Sequence, residues 1–408
     1  MASAERYSIA RMRMPLLDVA FQLMDSARSP QDFSLILHFR DAPNVDGLYA
    51  GARSAMNRFP TSASCINGRS WVWRENFKLE VVSDCEKFVD DAFDLRHQPP
   101  VRQCVILDGP TLVTRFHHSA ADGLSAALWL GHQLNVAYGI EAIESERAPF
   151  VDLPLRRNAT SVRRSEFAFA GASDRLWTSN SERSGKRRWV TIAFQASDLQ
   201  RACRRIGGFT YNDLLATCAL EVLYQWNTAH LGNNGRSKIS LWVPMNIRRG
   251  ANGGFGNGTS RIRVYARYEE HARLVEKCRE VRRQVSWTTE HGEWVVPAKR
   301  WFTRMPRAIT RPLLRRYLSL SSVDMCTGVF SHAGSWIANA GEAFKHVDRI
   351  ECVGLLHERQ SVAINAATHH GQTWLTITYD PQLLKPDEAQ QLGEMYEQQI
   401  AHARDELL

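Results

Sequence analysis

No Cys-x-x-Cys pair occurs in this 408-residue chain. Its eight cysteines, Cys65, Cys85, Cys104, Cys203, Cys218, Cys278, Cys326 and Cys352, are scattered, and Cys104 and Cys218 sit in apolar runs. That distribution excludes an obvious zinc module and predicts buried, reduced thiols. Long apolar runs are also missing. None approaches the roughly 20 residues that span a bilayer. The opening "MASAERYSIARMRMPLL" has no apolar core of the signal-peptide kind. The expected location is therefore the cytoplasm, with room for peripheral membrane contact. There is no Gly-x-Ser-x-Gly elbow, and "AGSW" at 333–336 lacks a strand-elbow-helix setting, which argues against a Ser-His-Asp hydrolase. No short-period repeat and no low-complexity segment is found.

Acid is missing from one stretch. Between Trp294 and Leu320 stand Lys299, Arg300, Arg304, Arg307, Arg311, Arg315 and Arg316 with no Asp or Glu, in a chain of net charge +8. Such a segment, 299–316, suits an anionic partner, either an acyl carrier protein or an anionic membrane surface; a solvated face is the plain alternative. No nucleic-acid-binding motif accompanies the charge, so nucleic acid is not an expected partner.

What is present is an ordinary globular composition, 44% hydrophobic and 23% charged, over a length that suits two domains. We place the boundaries at 1–165 for the first domain, 166–188 for a polar crossover and 189–408 for the second. "FSLILHF" (33–39) reads as a buried strand, and "VRQCVIL" with "TLVTRF" (111–116) as a hairpin. A helix follows in "GLSAALWLGHQLNVAYG". Leu124, Ala127, Leu128, Gly131 and Leu134 share one of its faces, and Gly139 is placed to end it.

Between that hairpin and that helix lies "HHSAADG", residues 117–123. An imidazole titrates near neutrality, so His118, at a strand-to-helix junction, is suited to accept a proton from an alcohol or amine. The small spacer Ser119, Ala120 and Ala121 would let substrate approach. Asp122 is placed to cap the helix and to form an ion pair. His117 reads as a strand-end residue. Adjacent histidines on a strand point to opposite faces, so no metal is expected here. The second pair, His369 and His370, reads as a hairpin turn. With no nucleophile in evidence, a histidine acting directly on an acceptor is the simplest chemistry.

The stretch resembles the His-His-x-x-x-Asp-Gly signature of the CoA-dependent acyltransferase superfamily. That group includes chloramphenicol acetyltransferase, the condensation domains of peptide synthetases, and wax ester synthase/diacylglycerol acyltransferases. The likeness runs along most of the chain and is greatest to the wax ester synthase-like branch. "MPLLDVAFQLMD" is similar to its opening Pro-Leu-Ser-x-x-Asp-x-x-Phe, with Leu17 at the serine. "FTYNDLLAT" is similar to its Asn-Asp helix, "VPMNIRRG" to its Pro-x-Asn-x-Arg segment, and "FGNGTS" to the Gly-Asn that follows. "TGVFSHAGSW" stands where the branch has Ser-Asn-Val-Pro-Gly-Pro, with His332 at the asparagine.

The resemblance implies an α/β (α+β) fold of two similar domains in a V, with an active-site tunnel between them. It implies an acyltransferase that moves an acyl group from acyl-CoA or a carrier-bound thioester to an alcohol or amine. His118 would be the general base. Asp122 and Gly123 would be structural, with Arg248 the partner of Asp122. Asn212, Asn246 and Ser331 become candidates for oxyanion or substrate binding. Asp213, three residues after Thr210, also fits a capping box. No cofactor is implied beyond the thioester co-substrate. The alternatives are a free-standing condensation domain that forms an amide or ester, and a degenerate binding protein without catalysis.

Overall fold

The computed structural model describes residues 11–74, 77–106, 109–141, 173–231, 238–248, 255–266, 272–291, 305–306, 308–310, 312–313, 326–334 and 341–408. In the first half the elements are β1 (Met12–Arg13), α1 (Leu16–Met24), β2 (Asp32–Phe39), α2 (Val45–Arg58), β3 (Ser64–Asn67), β4 (Ser70–Trp73), β5 (Leu79–Val82), α3 (Cys85–Asp90), β6 (Val101–Ile106), β7 (Thr111–His117) and α4 (Gly123–Ala137). The second half has β8 (Arg188–Gln195), α5 (Ser197–Ile206), α6 (Tyr211–Leu231), β9 (Ser240–Asn246), β10 (Thr259–Tyr265), α7 (Leu274–His291), β11 (Gly328–His332), β12 (Val347–Val353), β13 (Val362–His369), β14 (Gln372–Tyr379) and α8 (Pro386–Leu407).

One five-stranded sheet runs β12-β2-β7-β6-β5 and one six-stranded sheet runs β10-β9-β11-β13-β14-β8. The halves are not segregated by sheet, because β12 of the second half pairs antiparallel with β2 of the first. A long sequence separation is thus closed by backbone hydrogen bonds.

The continuous apolar run of β2 has a direct cause. Phe33, Leu35, Leu37 and Phe39 pack in one core with residues of α2 and α4. Ile36, pointing the other way, packs with Phe88, Val113 and Val353. Both faces of the sheet are covered, so alternation with polar residues is not needed. The second core lies between the six-stranded sheet and α5, α6, α7 and α8, and holds Leu241, Phe330, Ile364 and Ile377 beside Leu220, Cys278 and Tyr396.

The β6–β7 hairpin forms with Val101 opposite Phe116. His369 faces Gln372 across a two-residue turn, His370 and Gly371, both at positive φ, the backbone of a type I′ hairpin. His369 is tied to the carbonyls of Phe344 and Val347.

Helix α4 differs from the amphipathic stripe expected for it. It ends at Ala137, two residues before Gly139 at φ 69°, but Trp129, Leu130, His132, Gln133 and Asn135 are buried as well. The reason is polar satisfaction inside the core. Gln133 donates to the Leu48 carbonyl and bonds Gln103, and His132 bonds Ser54 and Glu141. Polar residues off that apolar face are thereby taken into the interior.

All eight cysteines are free, and six of them are buried. Burial pushes the Cys278 and Cys352 thiols up to about 12, so they stay protonated and inert. Among the described residues no helix is long and apolar enough to cross a membrane.

Candidate functional site

Strand β7 is buried along its whole length and stops at His117. The chain then turns. Ala120 N–H donates to the His117 carbonyl at 2.9 Å, and His118 N–H leaves the ladder to reach Gln31 O at 2.7 Å. Asp122 caps α4 by accepting from Ser125 N–H at 3.0 Å. The two histidines part company here. His117 is 1% exposed. Its Nδ1 accepts from the Ser119 N–H at 3.1 Å, and its Nε2 lies 3.6 Å from Asp25. Ser119, Ala120 and Ala121 are fully buried. Ala120 packs with Val19 and Leu23 of α1, and Ala121 with the core under the five-stranded sheet.

His118 is half-buried. Its ring stacks on Phe21 of α1, with centroids 4.5 Å apart, and tilts against Phe33 of β2 at 4.9 Å. This apolar packing strips water from the imidazole and lowers its pKa to about 4, against the opposing pull of the Asp122 charge. The imidazole is neutral at pH 7. Its Nδ1 lies 3.4 Å from Asn257 Oδ1, and among the described residues Nε2 has no hydrogen-bond partner.

Asp122 shares no hydrogen bond with His118 among the described residues. Its carboxylate accepts from Arg248 in a fork, Nη1 to Oδ2 at 2.8 Å and Nη2 to Oδ1 at 2.7 Å. It also accepts from Gly258 N–H at 2.8 Å and the Thr259 hydroxyl at 2.6 Å. Both side chains of the pair are 1% exposed. Burial alone would raise the Asp122 carboxyl, but the Arg248 guanidinium and the Thr259 hydroxyl outweigh it and hold it below its ordinary value. Arg248 Nη2 continues to Ser125 Oγ and the Gly256 carbonyl. The start of α4 is in this way fastened to the segment between β9 and β10. Gly258 is required by that fastening: a Cβ there would stand 2.4 Å from Arg248 Cγ and 2.6 Å from its Cζ.

The remaining candidates are spread out. Asn246 is exposed at the end of β9, and its Oδ1 accepts from Arg248 N–H at 3.0 Å, an acceptor role at a strand end. Ser331 lies in β11 opposite Asn365, and Asn212 opens α6. Neither shares a hydrogen bond with the His118 network among the described residues. Asp213 closes a capping box with Thr210 and also binds Arg282. His332 bonds Thr368 at 2.9 Å. Of the basic segment 299–316, residues 299–304, 307, 311 and 314–316 lie outside the described residues; Ile309 and Leu313 within it are exposed.

Four residues at the site were not assigned to it from sequence: Asp18, Phe21, Phe33 and Asn257. Asp18, Phe21 and Asn257 sit in the quoted motifs "MPLLDVAFQLMD" and "FGNGTS", which is the only signal that marked them.

No protein-family model and no curated protein matches the chain. Its fold is matched by solved structures. The first condensation domain of the calcium-dependent antibiotic synthetase, in complex with substrate analogue 3a, superposes with a TM-score of 0.74 at 14% identity and covers 98% of each chain. The condensation domain of the Monacolin K polyketide synthase MokA gives 0.64 at 12% identity, covering 98% of this chain and 99% of the other. A mutant starter condensation domain of rhizomide synthetase RzmA, in complex with C8-CoA and Leu-SNAC, gives 0.63 at 11% identity, covering 100% and 97%. The fold is thus that of the condensation domains, within the α/β class expected.

Proposed function

We propose that this chain is an acyltransferase that moves an acyl group from a thioester to a hydroxyl or amine, with His118 as general base. The observation that carries the reading is the state of His118: a neutral imidazole between Phe21 and Phe33, with Nδ1 toward Asn257 and Nε2 unclaimed. As the acceptor oxygen or nitrogen attacks the thioester carbonyl, Nε2 takes its proton. The C–S bond then breaks and the departing thiolate takes the proton from the imidazolium. No covalent enzyme intermediate is needed. A positioned base of this kind contributes about 10²–10⁴-fold. Solved structures of this fold include one holding C8-CoA and Leu-SNAC, which supports thioesters as the substrate class.

The direct test is thiol release from a panel of acyl-CoAs and acyl-N-acetylcysteamines against mixed alcohols and amines. Acceptor-dependent release, matched by ester or amide, is the expected result. Hydrolysis alone, or no release with any pair, sinks the reading.

The pH dependence follows from the site. Protonation of the His118 ring itself abolishes its base function, so the final acid limb of kcat/KM is expected near pH 4, well below the usual histidine value of 6.5. The same shift bears on stability. A histidine with a lowered folded pKa stabilises the fold fully above about pH 6.5, and that contribution is lost as pH falls toward 4. A limb centred at 6.5 at which the His118 ring itself takes up the proton would show that His118 is solvated in solution.

The condensation-domain reading differs in the donor, which would be an acidic carrier protein engaged by 299–316. Replacing Arg304, Arg307 and Arg311 with Gln is then expected to raise KM for a carrier-bound donor in a salt-sensitive way. Transfer from a small N-acetylcysteamine thioester should be unchanged. Equal loss with both donors removes the carrier from the account.

A further inference from the structure

Asp18 is a buried carboxylate for which the reaction as drawn has no use. It lies in the first turn of α1 and is fully buried. Among the described residues no cation bonds it. Asp122, by contrast, is held low by Arg248, while burial pushes Asp18 up to about 7 despite hydrogen bonds from Asn257 and Trp71. A carboxyl kept in such a place needs an explanation.

The hydrogen bonds supply one. Trp71 Nε1 donates to Asp18 Oδ2 at 3.1 Å, and Asn257 Nδ2 donates to Asp18 Oδ1 at 2.9 Å. The same Nδ2 also donates to the carbonyl of His118 at 2.6 Å. Both hydrogens of the Asn257 amide are therefore committed to oxygens. The flipped amide would set an oxygen against those two oxygens, so it is excluded. With the amide held this way, Oδ1 faces His118 Nδ1. A carbonyl oxygen only accepts, so the hydrogen of the neutral ring belongs on Nδ1 and the lone pair on Nε2.

We propose that Asp18 is a positioning residue: through Asn257 it sets the tautomer of His118 and keeps Nε2 as the proton acceptor. The mechanistic meaning rests on the base role given above to His118, whereas the tautomer itself can be observed without substrate. Protonation of Asp18 weakens the acceptor for one of the two amide hydrogens and leaves the His118 carbonyl as the main hold on the amide. The other charges facing the pair are accounted for. Asp122, which bears on both groups, is matched by Arg248, and Asp32, which bears on His118, is matched by Arg115 and Arg187. His117 and His357 also interact with His118.

The experiment is nitrogen NMR of the full-length chain with labelled histidine, His118 being assigned by the signal lost in His118→Ala. In the native protein the Nδ1–H tautomer is expected to dominate at pH 8 and to give way to a mixture as pH falls through about 7. In Asp18→Asn one amide oxygen must serve both Trp71 and Asn257, so a mixture is expected at every pH. Its kcat is expected to fall about tenfold or more with KM nearly unchanged. Trp71→Phe, which leaves the Asn257 contact in place, should keep the native tautomer.

A native protein whose tautomer does not change between pH 6 and 8 overturns the inference, even if Asp18→Asn fails to fold. So does an Asp18→Asn variant that keeps the single Nδ1–H form. A correct tautomer pattern without any acyl transfer leaves the positioning intact and refutes the function instead.

Discussion

Changing His118 to Ala is expected to reduce acyl transfer by about 10²–10⁴-fold while the protein still folds. The side chain supplies the only proton acceptor assigned to the reaction. Its structural ties are weak by comparison: stacking on Phe21, a tilt against Phe33 and one long contact to Asn257. The backbone bonds that shape the turn, His118 N–H to Gln31 and the His118 carbonyl to Asn257, do not depend on the side chain. The neighbouring His117→Ala gives the contrast. It deletes a buried ring that bonds Ser119 and faces Asp25, so stability falls while the rate per folded molecule changes less. Steady-state transfer, with circular dichroism and a denaturant midpoint for each variant, separates the two. A His118→Ala protein that keeps most of the native rate would show that the acceptor is deprotonated elsewhere.

The second large effect is on stability. Asp122→Asn is expected to destabilise the fold by about 3–5 kcal/mol, because it leaves the Arg248 guanidinium buried without its counter-charge. The asparagine must also turn an N–H₂ toward Arg248, Gly258 N–H or the Thr259 hydroxyl, all of which donate to this carboxylate. Pairing it with Arg248→Met should restore part of the loss, since removing both partners leaves no orphaned charge. A denaturant series on the single and double variants measures this. Full stability with lost activity in Asp122→Asn would place the carboxylate in the chemistry instead.

How far these residues could be recognised beforehand differs by residue. His118 and Asp122 stand in one seven-residue stretch, so the motif itself marked them. Arg248, 126 positions after Asp122, rested on a resemblance, and its fork on both carboxylate oxygens is a matter of three-dimensional placement. Phe33 was visible only as one apolar residue in a strand. Nothing in "FSLILHF" distinguishes the side chain that meets His118 from those that fill the core. Asn246 is a different case. Its place in a motif pointed toward an oxyanion or substrate, and in the structure its oxygen accepts from the Arg248 backbone N–H.

Local features were legible from residues close in the chain: apolar strands, the hairpin before the motif, the capped helix after it, and a histidine at their junction. These follow from periodicity, turn chemistry and capping, which act over a few residues. Tertiary structure decided what the histidine is. Burial beside Phe21 and Phe33 keeps it neutral, the amide of Asn257 sets which nitrogen is free, and Arg248 binds Asp122 from another part of the chain. Desolvation and hydrogen-bond direction depend on distance in space, and Phe21, Phe33, Asp122, Arg248 and Asn257 become neighbours only once the two halves are packed together.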